Sequence, residues 1–583
     1  MKKIINLIEE ILADAFDNCG YDRKYAKVTL SNRPDLCEFQ CNGAMSAAKE
    51  YHKAPIMIAN DIIPLVKEHS YFSSIEAVNP GFINIKLNPA FLADYVNDMA
   101  NADKFGCTDI GEGKTIVIDY GGPNVAKPLH IGHLRPAIIG ESIKRIKRFS
   151  GYNVIGDVHL GDWGYQMGLI IESLKEQHPD IFETASLEEC GVTVSVLEEV
   201  YPAASKRAKE DEEFAARAHE ATYKLQNKNP EYYNLWKKII DISVTDLKKN
   251  YSNLNVDFDL WMGESDAQPY IPDMVEMMKE KGFAYESNGA LVVDVSEETD
   301  KKEVPPCIIV KSDGAYLYST TDLATIVQRV KDYKPAQIIY VVDKRQEMHF
   351  KQVFRCSKKT GIVSDDTELF FVGFGTMNGA DGKPFKTRDG GVMRLEKLIG
   401  DATASIYDKI KDRDDMTEDE AASIAKIVGL SAIKYGDLSN QASKDYIFDI
   451  DRFCEFEGNT GPYILYTMVR IKSILRKCQL DNAIDSCDYK ILPAVSDSER
   501  DLQLKLTNLI ELVEQACNEN APHKICQYLY DIANSFNGFY HQNNIIKEED
   551  KERQKSFLAL IILAYRILKQ GIDLLGFDAP DRM

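Results

Sequence analysis

Long apolar runs are missing from this chain. The greasiest stretch, residues 557–565, falls far short of the ~20 residues that a membrane-spanning helix needs. Paired metal-type cysteines are missing too: Cys37 and Cys41 are four apart, and no second pair completes a zinc site. The remaining cysteines are scattered and read as free thiols of a reducing compartment. There is no Gly-x-x-x-x-Gly-Lys loop, which argues against a P-loop ATPase, and no internal repeat. Met1-Lys2-Lys3 opens the chain, but Glu9 and Glu10 arrive too soon for a signal-peptide core, so a cytoplasmic location is expected. Basic excess is absent as well: 70 Lys and Arg face 91 Asp and Glu, a net charge of -21. That total favours solubility. It neither supports nor excludes a nucleic-acid partner, because such a surface needs only a local basic stripe.

What is present is enough chain for three or four domains, since 583 residues exceed the ~100–200 of a typical one. Its 44% hydrophobic and 28% charged residues are ordinary for a globular protein. Residues 1–108 read as a small α+β domain, with a helical opening (Ile4, Ile8, Leu12) and a strand-like run from Phe82 to Leu87. A glycine-rich stretch, 106–113, reads as a linker. Thr115-Ile116-Val117-Ile118 reads as a buried strand, followed by a Gly/Pro turn and a helix over 134–149. In that helix Ile139, Ile143 and Ile146 form the apolar stripe, and Lys144, Arg145, Lys147 and Arg148 sit mostly elsewhere. Strand, glycine turn and helix open a doubly wound, Rossmann-like α/β sheet. The predicted catalytic domain spans 109–405, with a charge-rich helical insertion over about 173–285. Strand-like runs return at 307–310, 337–342 and 369–372, and after about 400 the strands stop. A helical connector (406–455) and an all-α bundle (456–583) complete the chain.

Between the first strand and its helix lies Pro128-Leu129-His130-Ile131-Gly132-His133. Gly132 would let a nucleotide approach the backbone, and His130 and His133 would face phosphate oxygens near a helix N-terminus, where anions are favoured. Such a site stabilises charge on a pentacovalent phosphorus without forming a covalent bond. Small-molecule nucleotidyltransferases use the same pattern, so alone it specifies adenylyl or nucleotidyl transfer. A second segment, Asp381 to Gly391, sets Lys383, Lys386 and Arg388 between glycines, the composition of a mobile loop that closes over polyphosphate. In isolation it would be a solvated turn; its place after the last strand of the sheet favours the phosphate role.

Gly122-Pro123-Asn124-Val125-Ala126-Lys127-Pro128-Leu129-His130-Ile131-Gly132-His133-Leu134-Arg135 resembles the first signature of the arginyl-tRNA synthetases. The likeness continues through His159-Leu160-Gly161-Asp162-Trp163-Gly164, Gly263-Glu264-Ser265, Tyr318-Ser319-Thr320-Thr321-Asp322, and Gln346, His349 and Gln352. It then takes in Phe456-Glu457-Gly458-Asn459-Thr460-Gly461-Pro462-Tyr463 and the terminal Asp581-Arg582-Met583, so nearly the whole chain is covered in order. The resemblance implies arginine activation by ATP, with magnesium on the phosphates and no zinc, followed by transfer of arginine to the tRNA 3′ end. It also implies that tRNA is needed before activation. His130, Gly132 and His133 match the family's ATP motif. Pro384-Phe385-Lys386-Thr387-Arg388 occupies the register of the second class I motif with both usual lysine positions changed. Lys127, Lys383 and Lys386 therefore remain alternatives for the transition-state cation.

The resemblance assigns the arginine side chain to Asp119, Tyr318 and Asp322, and its α-amino and carboxylate groups to Asn124 and Gln346, with His130 beside them. Planar bidentate carboxylates suit a guanidinium, and lysine could not satisfy two such acceptors. Asp119 stands where the family more often has glutamate, one methylene longer, which leaves a water-mediated reach open. Tyr463, Tyr466, Arg470 and Lys472 mix aromatics with cations, which suits stacking on splayed bases and holding phosphate. The family places its anticodon-binding domain there, although Leu465 replaces a common glutamine. By the same likeness residues 1–108 meet the tRNA elbow. The expected partners are tRNA(Arg), L-arginine and ATP, for a monomer without a membrane. A different class I synthetase and a non-catalytic tRNA-binding paralogue are the alternatives.

Overall fold

The computed structural model describes all residues except 128, 380, 384–392, 414 and 481–487. At the N-terminus β1 (Val28–Leu30), β2 (Phe39–Cys41), β3 (Phe72–Val78) and β4 (Phe82–Leu87) form an antiparallel sheet in the order β1-β2-β4-β3. The Ile4–Asn18 helix buries Ile4, Ile8 and Leu12, residues four apart on one face, in the core beneath it.

β5 (Thr115–Tyr120) and β6 (Asn153–Asp157) begin a parallel sheet, with the Leu134–Phe149 helix as their crossover. Ile116 to Tyr120 are buried without alternation, because helices cover both faces of a parallel sheet. The chain then runs through helices from Tyr165–Gln177 to Ile271–Glu280. A separate antiparallel sheet follows, made of β7 (Ala284–Ser287), β8 (Ala290–Val293) and β9 (Cys307–Val310). The run at 307–310 thus lies outside the parallel sheet. Cys307 and Ile309 are buried while Ile308 is exposed, the alternation of a strand covered on one face.

β10 (Gln337–Asp343) and β11 (Glu368–Phe374) complete the parallel sheet in the order β11-β10-β5-β6. The winding reverses between β5 and β10. That switch point leaves a crevice at the carboxyl ends of those two strands. Register sets Tyr340, Asp119 and Asp157 side by side across β10, β5 and β6.

Along the Lys144–Arg148 stretch of the Leu134–Phe149 helix only Arg148 is exposed. Lys144 is 2% exposed and pairs with Glu141 at 2.8 Å, and it also donates to the Asp257 carbonyl. Lys147 is buried as well. The helix lies between the sheet and the C-terminal bundle, so its cations have to be paired inside. Arg145 reaches the Asp573 side chain of that bundle at 3.1 Å. Lys434 donates to the carbonyls of Leu254 and Gly576, both at 2.6 Å, tying the bundle to the catalytic unit.

Among the described residues beyond 400 the elements are helices apart from one short pairing, β12 (Met377–Asn378) with β13 (Tyr446–Ile447). The strands therefore do not stop entirely at 400. The bundle comprises helices from Gly461–Lys477 to Lys551–Leu575. Among the described residues no helix is long and apolar enough to cross a membrane.

Candidate active site

The loop leaving β5 is stitched down on both sides. Val125 donates to the Gly161 carbonyl at 3.0 Å, and Gly161 donates to the Pro123 carbonyl at 3.1 Å. A Cβ on Gly161 would lie 2.1 Å from Asn124 Oδ1, so only glycine lets Asn124 close on this strand end. The 159–164 segment is in turn fixed to the next motif: Ser265 donates from its backbone and its hydroxyl to Asp162, at 2.9 and 2.5 Å.

His130 and His133 form a reciprocal turn. Gly132 N–H donates to His130 Nδ1 at 3.0 Å, and His130 N–H donates to His133 Nδ1 at 3.1 Å. With each Nδ1 accepting, the proton of each neutral ring is placed on Nε2, which is free to donate outward. Burial lowers the pKa of His130, and Lys127 lowers it further. Burial and the neighbouring His130 bring His133 down to about 3. Near neutral pH both rings are therefore uncharged hydrogen-bond donors. A Cβ on Gly132 would lie 2.8 Å from His130 Cε1, so glycine also lets that ring fold onto its own turn. Ile131 donates to the Met393 carbonyl at 2.9 Å and Leu395 to the Leu129 carbonyl at 3.0 Å, zipping this motif to the 393–395 segment.

Across the switch point stands an acidic group. Asp322, on the Tyr318–Tyr333 helix, lies 2.5 Å from His349 Nε2. It sits inside its helix, not at the cap. Tyr318 begins the same helix and is 75% exposed, so it is no core residue. Gln346 closes a short turn just past β10 and is exposed, as is Asn124 past β5. Asp119 is 8% exposed, and its Oδ2 meets Arg329 Nη2 at 2.6 Å; the same nitrogen meets Asp157 Oδ2 at 2.7 Å. Glu264 faces the same space. Burial pushes its carboxyl up to about 7, with His159 opposing and Asp162 and Asp322 reinforcing.

Lys383 is exposed, in a turn where its backbone N–H donates to Asp381 Oδ1 at 3.1 Å. Lys386 and Arg388 lie outside the described residues. Among the described residues no three His, Cys, Asp or Glu side chains gather as a metal-holding group. Tyr463, Tyr466, Arg470 and Lys472 occupy a separate place, the Gly461–Lys477 helix of the bundle. There Arg470 donates to Asn537 at 2.6 Å and stacks 4.8 Å from the Tyr466 ring centroid. Lys472 pairs with Asp581 at 2.6 Å, and Leu465 is fully buried.

Sequence alone assigns no role to three of these side chains. Glu264 and His349 lie inside motifs already quoted, and a carboxylate among other acids was the available signal. Arg329 carried none, because its partners are 210 and 172 residues away.

The site combines two neutral imidazole donors, a lysine and a set of carboxylates near the carboxyl ends of the central strands, an arrangement able to hold a cationic substrate beside a polyphosphate. Family models match along the chain: the class I (R) tRNA synthetase catalytic domain over residues 96–450, the DALR anticodon-binding domain over 464–583, and the arginyl-tRNA synthetase N-terminal domain over 2–87. Arginine–tRNA ligases of Agathobacter rectalis and Alkaliphilus oremlandii are 59% and 54% identical, over the full length of both chains in each case. The arginyl-tRNA synthetase structure from Plasmodium falciparum superposes with a TM-score of 0.85 at 27% identity, covering both chains completely. That from Thermus thermophilus gives 0.79 at 22% identity, also over both whole chains, and bears on the fold alone. The chain belongs to the arginyl-tRNA synthetase family, with a class I catalytic domain.

Proposed function

We propose that this protein is an arginine–tRNA ligase that forms arginyl-adenylate from L-arginine and MgATP, then transfers arginine to the 3′ end of tRNA(Arg). The observation that carries the reading is the reciprocal turn past β5 in which His130 and His133 each accept a backbone N–H at Nδ1, which leaves Nε2–H of each neutral ring as its donor. Asp322 and Tyr318 take the guanidinium. Asp119 contributes from beneath through the oxygen that Arg329 does not hold. Asn124 and Gln346 orient the α-amino and carboxylate groups.

The arginine carboxylate oxygen attacks the α-phosphorus in line, the bond to the β-phosphate oxygen breaks, and pyrophosphate leaves. His130 and His133 donate to the phosphate oxygens, while Lys127, Lys383, Lys386 and Arg388 offset the charge on the departing pyrophosphate. Magnesium arrives on the ATP phosphates. Lysine is rejected because one ammonium cannot satisfy carboxylates set for a planar fork. Residues 456–583 read the anticodon, with Tyr463, Tyr466, Arg470 and Lys472 on the contacting helix, and residues 1–108 meet the tRNA elbow. The chain works as a cytoplasmic monomer.

A charging assay tests this: the full-length protein, unfractionated tRNA, ATP and each of the twenty labelled amino acids in turn. Arginine alone becomes tRNA-bound. Equal charging by another amino acid, or none by arginine, overturns the reading.

A further inference from the structure

One helix of the insertion contacts two cations beside the histidine turn, Lys127 and Arg394. On the Val194–Glu210 helix, Glu198 and Tyr201 are three residues apart and so share a face. Lys127 Nζ lies 4.4 Å from the centroid of the Tyr201 ring. Arg394 Nη2 lies 2.8 Å from Glu198 Oε2, and the Glu198 side chain is only 9% exposed. Arg394 is also the isolated-bridge partner of His130, so Glu198 contacts the segment that pairs with the histidine turn. Among the described residues no carboxylate pairs with Lys127, and burial lowers its pKa.

We infer that Tyr201 and Glu198 are positioning residues for the pyrophosphate-leaving step. The Tyr201 ring aims the Lys127 ammonium at the ATP site, and Glu198 anchors the 393–395 segment against His130. The chemistry explains the choice of partner. A carboxylate on Lys127 would cancel its charge and compete with the phosphate. A ring face orients the ammonium through its quadrupole, leaves the charge intact and gives it up to an anion. Glu198 acts in the opposite sense. Arg394 serves as an anchor, its 61% exposed side chain ion-paired with a nearly buried carboxylate. This division of work matters because the second class I motif here lacks both of its usual lysines.

The inference rests on the arginine-activation reading, and the test separates the two. ATP–pyrophosphate exchange with arginine and tRNA is measured on the wild type, Tyr201→Phe, Tyr201→Leu, Lys127→Ala and the Lys127→Ala/Tyr201→Leu double variant. Tyr201→Phe keeps the ring and most of the rate. Tyr201→Leu lowers kcat about tenfold while the KM for arginine stays unchanged. On the Lys127→Ala background the same change costs less than about twofold, because the ammonium it served is gone. Tyr201→Met replaces Tyr201→Leu in the same comparison if the leucine variant does not fold. A full loss on the Lys127→Ala background, or equal losses in Tyr201→Phe and Tyr201→Leu, overturns the positioning role and leaves the function standing. A wild-type protein without arginine-dependent exchange overturns both.

Discussion

Arg329 Nη2 sits 2.6 Å from Asp119 Oδ2 and 2.7 Å from Asp157 Oδ2, joining two carboxylates that register sets side by side on β5 and β6. Like charges directly opposite on a sheet repel, and here both are buried. Arg329 is what makes the pair tolerable, so the floor of the proposed arginine pocket rests on the chain's own guanidinium. Arg329→Gln leaves two buried carboxylates uncompensated and should cost about 3–5 kcal/mol of stability, read as a lowered urea midpoint. Adding Asp157→Asn should return much of that loss. A single variant within about 1 kcal/mol of the wild type contradicts this account.

The two histidines donate as neutral rings. Burial holds His130 below its ordinary value and His133 at about 3, so His133 is neutral well before the pH reaches 6.5 and His130 loses its proton below its ordinary range. The arginine-dependent exchange rate should therefore lack a falling limb centred near 6.5, and His133→Ala should lower it by about 10²–10³. A limb at that pH which His133→Ala abolishes would show a working imidazolium instead.

Glu264 carries a pH signature in stability. Its folded pKa of about 7 exceeds the ordinary 4.5, so between those values the folded chain keeps a proton that the unfolded chain has lost. Its contribution is full below about 4.5 and lost as the pH rises through 7. Glu264→Gln lacks this slope, and its stability relative to the wild type should improve from pH 5 to pH 8 in urea titrations. An offset equal at both pH values argues that Glu264 is ionised throughout.

Arg470 offers a cation beside the exposed Tyr466 ring on the proposed anticodon face. If it meets a phosphate, Arg470→Ala weakens tRNA binding and reduces the slope of log affinity against log salt by about 1. A weaker affinity with an unchanged slope would place Arg470 in holding Asn537 only.

Much of this molecule is legible in one sequence because its signals are local. The β-branched run at 115–118, the glycine turn and the isoleucine stripe at 139, 143 and 146 are short-range patterns, and they locate the first strand, loop and helix of the sheet. The parts that misread are set by distant packing. Lys144 and Lys147 carry no local sign of burial, yet both are buried, with partners as distant in sequence as Asp257 and Gln337. Cys307–Val310 has the composition of a sheet strand, and only its pairing with β8 shows which sheet takes it. Arg329 is invisible for the same reason: its partners become neighbours through strand register, which no local spacing announces.

The central claim is that this site activates arginine, and ATP–pyrophosphate exchange with each of the twenty amino acids, with and without tRNA, tests it most directly. Exchange with arginine alone, and only when tRNA is present, is the result predicted. Exchange with another amino acid would keep the class I site and contradict the Asp119, Tyr318 and Asp322 pocket. Silence with all twenty would contradict catalysis itself and leave a tRNA-binding paralogue.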